Sequence, residues 1–325
     1  VTNELGRRLG AATLALLVMV VALTSCQSQP VSDPASADQP RTVTDPTGRQ
    51  VEIPGSPQRV FGVYSTDVDY AMTLGLGLAP VQSIASSAVG FPAFFPQAGL
   101  AGIEPMKNYP EIQYEKVAAI QPDVIINGLG YEGGADHDKL AAIAPTFTYD
   151  GFDGDWRDDF TALAAAFGRQ QEADTFLRQV ADRTAEVKSR VAALDRPPVF
   201  AYGVITDDGG GGFNGSAPTK LNPQLFEEVG ISSPSAVGKD WTTLAPERIA
   251  DLDDVDLIMI AVSPQRDAKA ELGKIRNNPV WSGLPAVRSG RLMAVDNELN
   301  FASPHAALTF LDVIDQGIDR LDPGE

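Results

Sequence analysis

The chain has 325 residues, 43% hydrophobic and 21% charged, ordinary values for a folded protein and more than one core usually spans, since cores stop growing near about 250 to 300 residues. Its net charge of −18 excludes nucleic acid and anionic membrane surfaces as partners of the folded body, because both are bound through clustered Lys and Arg. A single cysteine excludes an intramolecular disulfide, and two histidines are too few for a dedicated zinc or manganese pocket, so no metal site is expected.

Arg7 and Arg8 precede an uncharged apolar run from Ala11 to Leu23. Thirteen residues fall short of the roughly 20 that cross a bilayer, so residues 1–25 read as a cleaved signal peptide. Its end, Leu23-Thr24-Ser25-Cys26, resembles the lipobox of bacterial lipoproteins, which implies that Cys26 carries lipid and becomes the new N-terminus. Residues 26–41, rich in Ser, Pro, Gln and Asp, cannot bury enough surface to offset their own ordering and read as a flexible tether.

From residue 42 the pattern is that of a folded α/β lobe, taken to run to 169. Thr42 to Ile53 alternates polar and apolar residues around Asp45-Pro46-Thr47-Gly48, which predicts a β-hairpin. Arg59 to Val63 and Val81 to Ala85 predict short buried strands, with a helix between them stopped at Gly75. The loop Ser86 to Phe95 holds Phe91, Phe94 and Phe95 among breakers and is either a packed corner or a ligand wall. A strand ending at Asn127, a helix over Lys139 to Ala144 and a strand at Thr146 to Tyr149 complete an alternation that predicts a mostly parallel sheet. His137, between Asp136 and Asp138, reads as a solvated loop histidine.

Residues 170–194 follow, with Ala173, Phe176, Leu177, Val180, Ala181, Val187, Val191 and Leu194 at three- and four-residue steps. This predicts one long amphipathic helix, ended by Arg196-Pro197-Pro198 and long enough to bridge two lobes. A second α/β lobe is predicted over 195–325. Its loop contains Gly210-x-Gly212-x-x-Gly215, but no helix opens there and no acidic residue follows at ribose-binding distance, so neither a dinucleotide site nor any other cofactor is expected. A flexible loop presenting Phe213 and Asn214 is the expectation instead. Lys220 to Val229 predicts a helix, Arg291 to Val295 a strand, Asp296 to Ser303 a polar loop, and Pro304 to Leu321 a closing helix.

The two halves share an internal likeness. Tyr109 to Ile120 lines up without gaps on Trp241 to Leu252, each with an aromatic six positions before a Glu, and each runs into a buried strand with one extra residue in the second copy. No Gly-x-Ser-x-Gly elbow, His-Glu-x-x-His or P-loop accompanies this repeat. Acidic residues alone could serve a cell-envelope hydrolase, the remote alternative from another class, although nothing singles out an acid and base pair.

The lipobox, the tether, Asp45-x-x-Gly48-Arg49-x-Val51-x-Ile53-Pro54 with Pro57-x-Arg59-Val60, the paired halves and the connecting helix together resemble the iron-siderophore substrate-binding lipoproteins of bacterial ABC importers, the helical-backbone (class III) binding proteins. The resemblance spans the mature chain. It implies a non-enzymatic, monomeric receptor, lipid-anchored on the outer face of the cytoplasmic membrane, that delivers a ferric siderophore to a permease dimer; haem or a corrinoid on the same scaffold is the alternative. It further implies that Glu115 and Glu247 dock onto permease arginines and that Tyr109 and Trp241 line the ligand cleft. Tyr64, Phe94, Tyr131, Phe213, Asn214 and Phe301 are the other implied cleft residues, with Arg266 placed to meet an anionic ligand group.

Overall fold

The computed structural model describes residues 39–85, 88–131, 134–152, 154–206, 211–215, 221–237 and 242–321. The signal peptide, Cys26, most of the tether and Trp241 lie outside the described residues.

Strands β1 (Arg41–Thr44) and β2 (Gln50–Ile53) form the expected antiparallel hairpin. Asp45 organises its turn by accepting from Thr47 N and Arg49 N at 3.0 and 2.9 Å, while its other oxygen accepts from Thr148 N and ties the hairpin to the sheet. The elements β3 (Val60–Gly62), α1 (Ser65–Thr73), β4 (Val81–Ala85), β5 (Glu104–Tyr109), α2 (Tyr114–Ile120), β6 (Val124–Asn127), α3 (His137–Ala141) and β7 (Thr146–Thr148) then build the first half. β3, β6 and β7 pair in parallel in the order β3-β6-β7, and β4 pairs in parallel with β5.

Backbone bonds from Val60 N to Gly77 O and from Ala79 N to Val60 O begin the join between the two small sheets, and side chains continue it. Gln82 of β4, fully buried, accepts from Gly62 N at 2.9 Å and donates to Val60 O at 2.6 Å, supplying the rungs the backbone does not make. Asn108 of β5 does the same one layer on, donating to Val63 O and Ser83 Oγ, both at 3.1 Å. β5 lies outside the sequence expectation because its Glu-Pro-Met-Lys-Asn-Tyr run lacks alternation; it is an exposed edge strand, where such residues are tolerated.

Helix α4 (Trp156–Phe167), also not anticipated, begins at the Asp155 cap, which accepts from Arg157 N, and ends at Gly168 in a left-handed conformation. α5 (Gln170–Ala192) follows after a break of two residues. Its 23 residues span about 34 Å, and Ala173, Val180, Val187 and Val191 form the buried stripe that the spacing predicts.

The second half contains β8 (Phe200–Ile205), β9 (Phe213–Gly215), α6 (Leu221–Val229), β10 (Thr242–Leu244), a 3₁₀ turn over Pro246–Leu252, β11 (Leu257–Val262), α7 (Ala268–Asn277), α8 (Pro279–Ser282), α9 (Pro285–Arg288), β12 (Leu292–Asp296) and α10 (Pro304–Asp319). The sheet order is β10-β9-β8-β11-β12, parallel from β8 to β12 and antiparallel at β9. All six residues of β11 are buried, as expected of a central parallel strand covered on both faces.

The internal repeat is visible in three dimensions. α2 and the 3₁₀ turn occupy matching positions of the two copies, with Val117 and Ile120 buried in one and Ile249 and Leu252 in the other, and each leads into an inner strand of its sheet. One apolar cluster runs from Val51 and Phe147 in the first half through α5 to Phe200 and Ile314 in the second. α10 lies so close to the second sheet that a Cβ on Gly317 would meet Leu257 at 2.7 Å.

Candidate functional site

Five aromatic side chains converge at the junction of the two halves. Tyr64 follows β3, Tyr109 ends β5, Tyr131 follows β6, Phe152 follows β7, and Phe301 follows β12 from the other half. Every one therefore sits at or just beyond the carboxyl end of a parallel strand, where open α/β sheets hold their ligands. Ring centroids lie 5.1 Å apart for Tyr64 and Tyr109, 5.3 Å for Tyr64 and Phe301, and 5.2 Å for Tyr131 and Phe152, all edge-to-face. Such pairs contribute about 0.5–1.5 kcal/mol each beyond their burial. The Tyr109 and Tyr131 hydroxyls stand 3.5 Å apart.

Tyr64 is held from behind. Asp67 accepts from Tyr64 N at 2.9 Å through one oxygen, and through the other from Gly128 N at 3.0 Å and the Tyr149 hydroxyl at 2.6 Å. Only glycine fits at 128, because a Cβ there would stand 2.6 Å from the Asp67 carboxylate. Burial pushes Asp67 up to about 7 although these donors oppose it. Burial also raises the Tyr64 phenol, and it lifts Tyr131 to about 12 with help from Tyr109. Both hydroxyls stay neutral at physiological pH, with Tyr64 buried and Tyr131 partly exposed.

Beside the rings lies a crevice of about 240 Å³ between the halves, walled by residues 88–93 on one side and by Ser263, Pro264, Gln265 and Glu298 on the other. Glu298 is 7% exposed, and burial followed by the charge of Asp296 lifts it to about 7. A second cavity of about 380 Å³ opens in the second half between the ends of β8 and β11 and helix α7; Arg266, Lys274 and Asn297 are among its lining.

The implied cleft residues divide accordingly. Tyr64, Tyr109, Tyr131 and Phe301 meet in the ring cluster, whereas Phe94 turns to Phe95 at 5.2 Å in a small apolar cluster with Val68 and Leu100. Phe213 and Asn214 do not sit in a flexible loop; they form β9, and Phe213 is fully buried against Trp281 at 5.7 Å. Gly203 makes this possible, since a Cβ there would stand 2.7 Å from the Phe213 ring. Asn214 is half-buried with its side-chain oxygen unpartnered among the described residues. Arg266 is exposed, 3.4 Å from Glu271, and lines the second cavity. Trp241 and Cys26 fall outside the described residues.

Glu115 and Glu247 are exposed in the first turns of α2 and the 246–252 turn. Glu115 follows β5, which runs parallel to β4, and Glu247 follows β10, which is antiparallel to β9 and so runs with β8; each lies beyond the carboxyl end of its strand. Phe152 and Glu298 escaped the sequence reading, although the rule that selected Tyr131, a loop residue after a strand end, also covers Phe152.

The two histidines are structural in their contacts. His137 opens α3 rather than lying in a loop, with Nδ1 2.7 Å from Thr148 Oγ1, and burial lowers its pKa. His305 ties the halves together: its backbone N–H donates to Asp69 Oδ2 at 2.9 Å, and its Nδ1 lies 2.5 Å from Asp69 Oδ1. Asp69, fully buried in α1, thus caps the N-terminus of α10 from the opposite half. Among the described residues no group of three or more metal-ligating side chains occurs, and no helix is long and apolar enough to cross a membrane.

Comparison with known proteins agrees with this architecture. A family model described as periplasmic binding protein matches residues 100–299. The probable siderophore-binding lipoprotein YfiY of Bacillus subtilis is 25% identical over 292 residues, covering 86% of this chain and 88% of that one. The iron(3+)-hydroxamate-binding protein FhuD of Escherichia coli is 25% identical over 218 residues, 64% of this chain and 70% of its own. The crystal structure of a periplasmic solute binding protein from Mycobacterium smegmatis superposes with a TM-score of 0.71 at 23% identity, over 87% of this chain and 99% of that one. With the matched region covering most of the chain and the same fold recurring in a solved relative, the protein belongs to the periplasmic binding protein family, a family of solute-binding proteins.

Proposed function

We propose that this protein is an extracytoplasmic receptor that captures a ferric siderophore between its two halves and delivers it to an ABC importer, without chemical turnover. The observation that carries the reading is the meeting of five rings, from the ends of five different strands in both halves, beside a crevice between the sheets. A wall of ring faces and neutral phenols suits an organic chelate that arrives with its iron already enclosed. The YfiY and FhuD relatives, named for siderophore and iron-hydroxamate binding, support the same ligand class.

In this reading residues 42–169 and 195–325 act as two lobes about the connection at 170–194, with residues 26–41 as the tether. The folded body is a monomer held at the outer face of the membrane by lipid on Cys26. Glu115 and Glu247 meet the permease dimer, one on each subunit. Cys26→Ala should move the protein from the membrane fraction to the soluble one.

Intrinsic fluorescence titrated with ferric siderophores, haem and cobalamin tests the assignment. Saturable quenching by at least one ferric siderophore, and none by haem or cobalamin, is expected. A panel in which haem or the corrinoid binds and every siderophore fails would overturn it.

A further inference from the structure

The charge of the crevice narrows the ligand class. Val89, Phe91 and Pro92 face Ser263, Gln265 and Glu298 across it, and among the described residues of its lining Glu298 is the single ionisable side chain. Among those residues no cation pairs with the Glu298 carboxylate. The adjoining cluster adds only phenols and phenyl rings. Arg266 and Lys274 of the second half line the neighbouring cavity, which shares Ser263 with the crevice, and approach Glu271 at 3.4 and 2.7 Å. The internal segments outside the described residues carry, by sequence, Glu132, Asp153, Asp207, Asp208 and Asp240 against Lys220 and Lys239.

Ferric iron is enclosed by three bidentate groups. Three hydroxamates each give up one proton and leave a neutral complex, which a free amine on the ligand backbone makes cationic. Three catecholates each give up two and leave a trianion, and hydroxycarboxylate complexes are anionic too. An anion entering this crevice would lose its hydration, find no countercharge among the described residues of its lining and stand near a carboxyl group. A neutral or cationic complex meets none of these costs.

Resting on the siderophore reading above, we propose that the ligand is a ferric hydroxamate, neutral or cationic, and that Glu298 sets this preference by pairing with positive charge and excluding anionic chelates. With its pKa near 7, Glu298 can donate a hydrogen bond to a neutral complex as an acid and pair with an ammonium group as a carboxylate.

The test uses the intact protein, titrated by calorimetry with ferrioxamine B (cationic), ferrichrome (neutral), ferric enterobactin (trianionic) and ferric citrate. At least one hydroxamate should bind about 100-fold more tightly than the trianion. In Glu298→Gln the ratio of ferrioxamine B affinity to enterobactin affinity should fall about tenfold. Tight binding of enterobactin or citrate with weak hydroxamate binding would overturn this inference and leave the siderophore reading standing. An unchanged ratio in Glu298→Gln would remove the role of that residue. Failure of every ferric chelate to bind would instead sink the siderophore reading itself.

Discussion

Asp159, in the first turn of α4, is pushed up to about 8 by burial first and then by the charges of Asp150, Asp158, Asp67 and Asp155. A carboxyl group raised in the folded state holds a proton that the unfolded chain releases near pH 4, so its contribution to stability is full below that pH and is lost as pH rises through about 8. Asp67 and Glu298, both lifted to about 7, add to the same trend. The melting temperature should therefore fall between pH 5 and pH 8.5. Asp159→Asn should match the parent at pH 4 and exceed it at pH 8.5 by about 1–2 kcal/mol, a figure discounted for partial exposure. A melting series against pH checks both statements, and equal slopes for the two proteins would refute the assignment. At this scale the sequence was legible where a rule of position applied. Tyr64, Tyr131 and Phe301 each follow the end of a strand, Tyr109 precedes Glu115 in the repeat, and the structure brings the four together. Phe213 looked equivalent among its glycines, but whether a ring turns inward depends on the space opposite, here supplied by Gly203 in another strand. No local pattern encodes that.

Elements were readable when their hydrophobic period was strong and unreadable when long-range contacts made them. α5, β4 and β6 follow their patterns closely, and the two aligned segments of the repeat fold as short helical turns. β5 and β9 exist only because a neighbouring strand pairs with them. The Gln82 amide extends the join between β3 and β4 beyond the backbone bonds of Val60 to Gly77 and Ala79. Gln82→Ala should cost about 2–4 kcal/mol, because it strips the partner from the buried Gly62 N–H, removes one of two donors to the Val60 carbonyl and leaves a cavity. Denaturant unfolding measures this loss, and a change below about 0.5 kcal/mol would mean the two sheets hold without it. On the outer face, Arg183 bonds Asp312 and Asp315 at 2.8 Å each, and Arg190 bonds Asp315 and Asp319, lacing α5 to α10. Burial would raise Asp315, yet the two arginines hold it below the usual carboxylate range. Asp315→Asn should cost about 1 kcal/mol at low salt and less at 1 M salt, with the difference disappearing as pH falls below about 4.

For the whole molecule, the lacing of α5 and the shared apolar cluster predict limited movement on binding, since wide closure would tear packed contacts along the strut. Small-angle scattering with and without ligand should give nearly superimposable profiles. Glu115 and Glu247 belong to this scale too, because their proposed role needs both halves presented at once. The double substitution Glu115→Ala with Glu247→Ala should leave ligand affinity unchanged and reduce uptake by cells at least about tenfold, as loss of two charge-assisted contacts implies. Uptake equal to that of the parent would show that these acids merely favour the positive ends of their own helical turns.

The bond from Asp69 to His305 joins residues 236 apart in sequence. A polypeptide emerging amino end first cannot close it until almost all of its length has appeared, so the leading half waits, unlatched, for the trailing one. The final lock is then set by the last stretch of chain to appear.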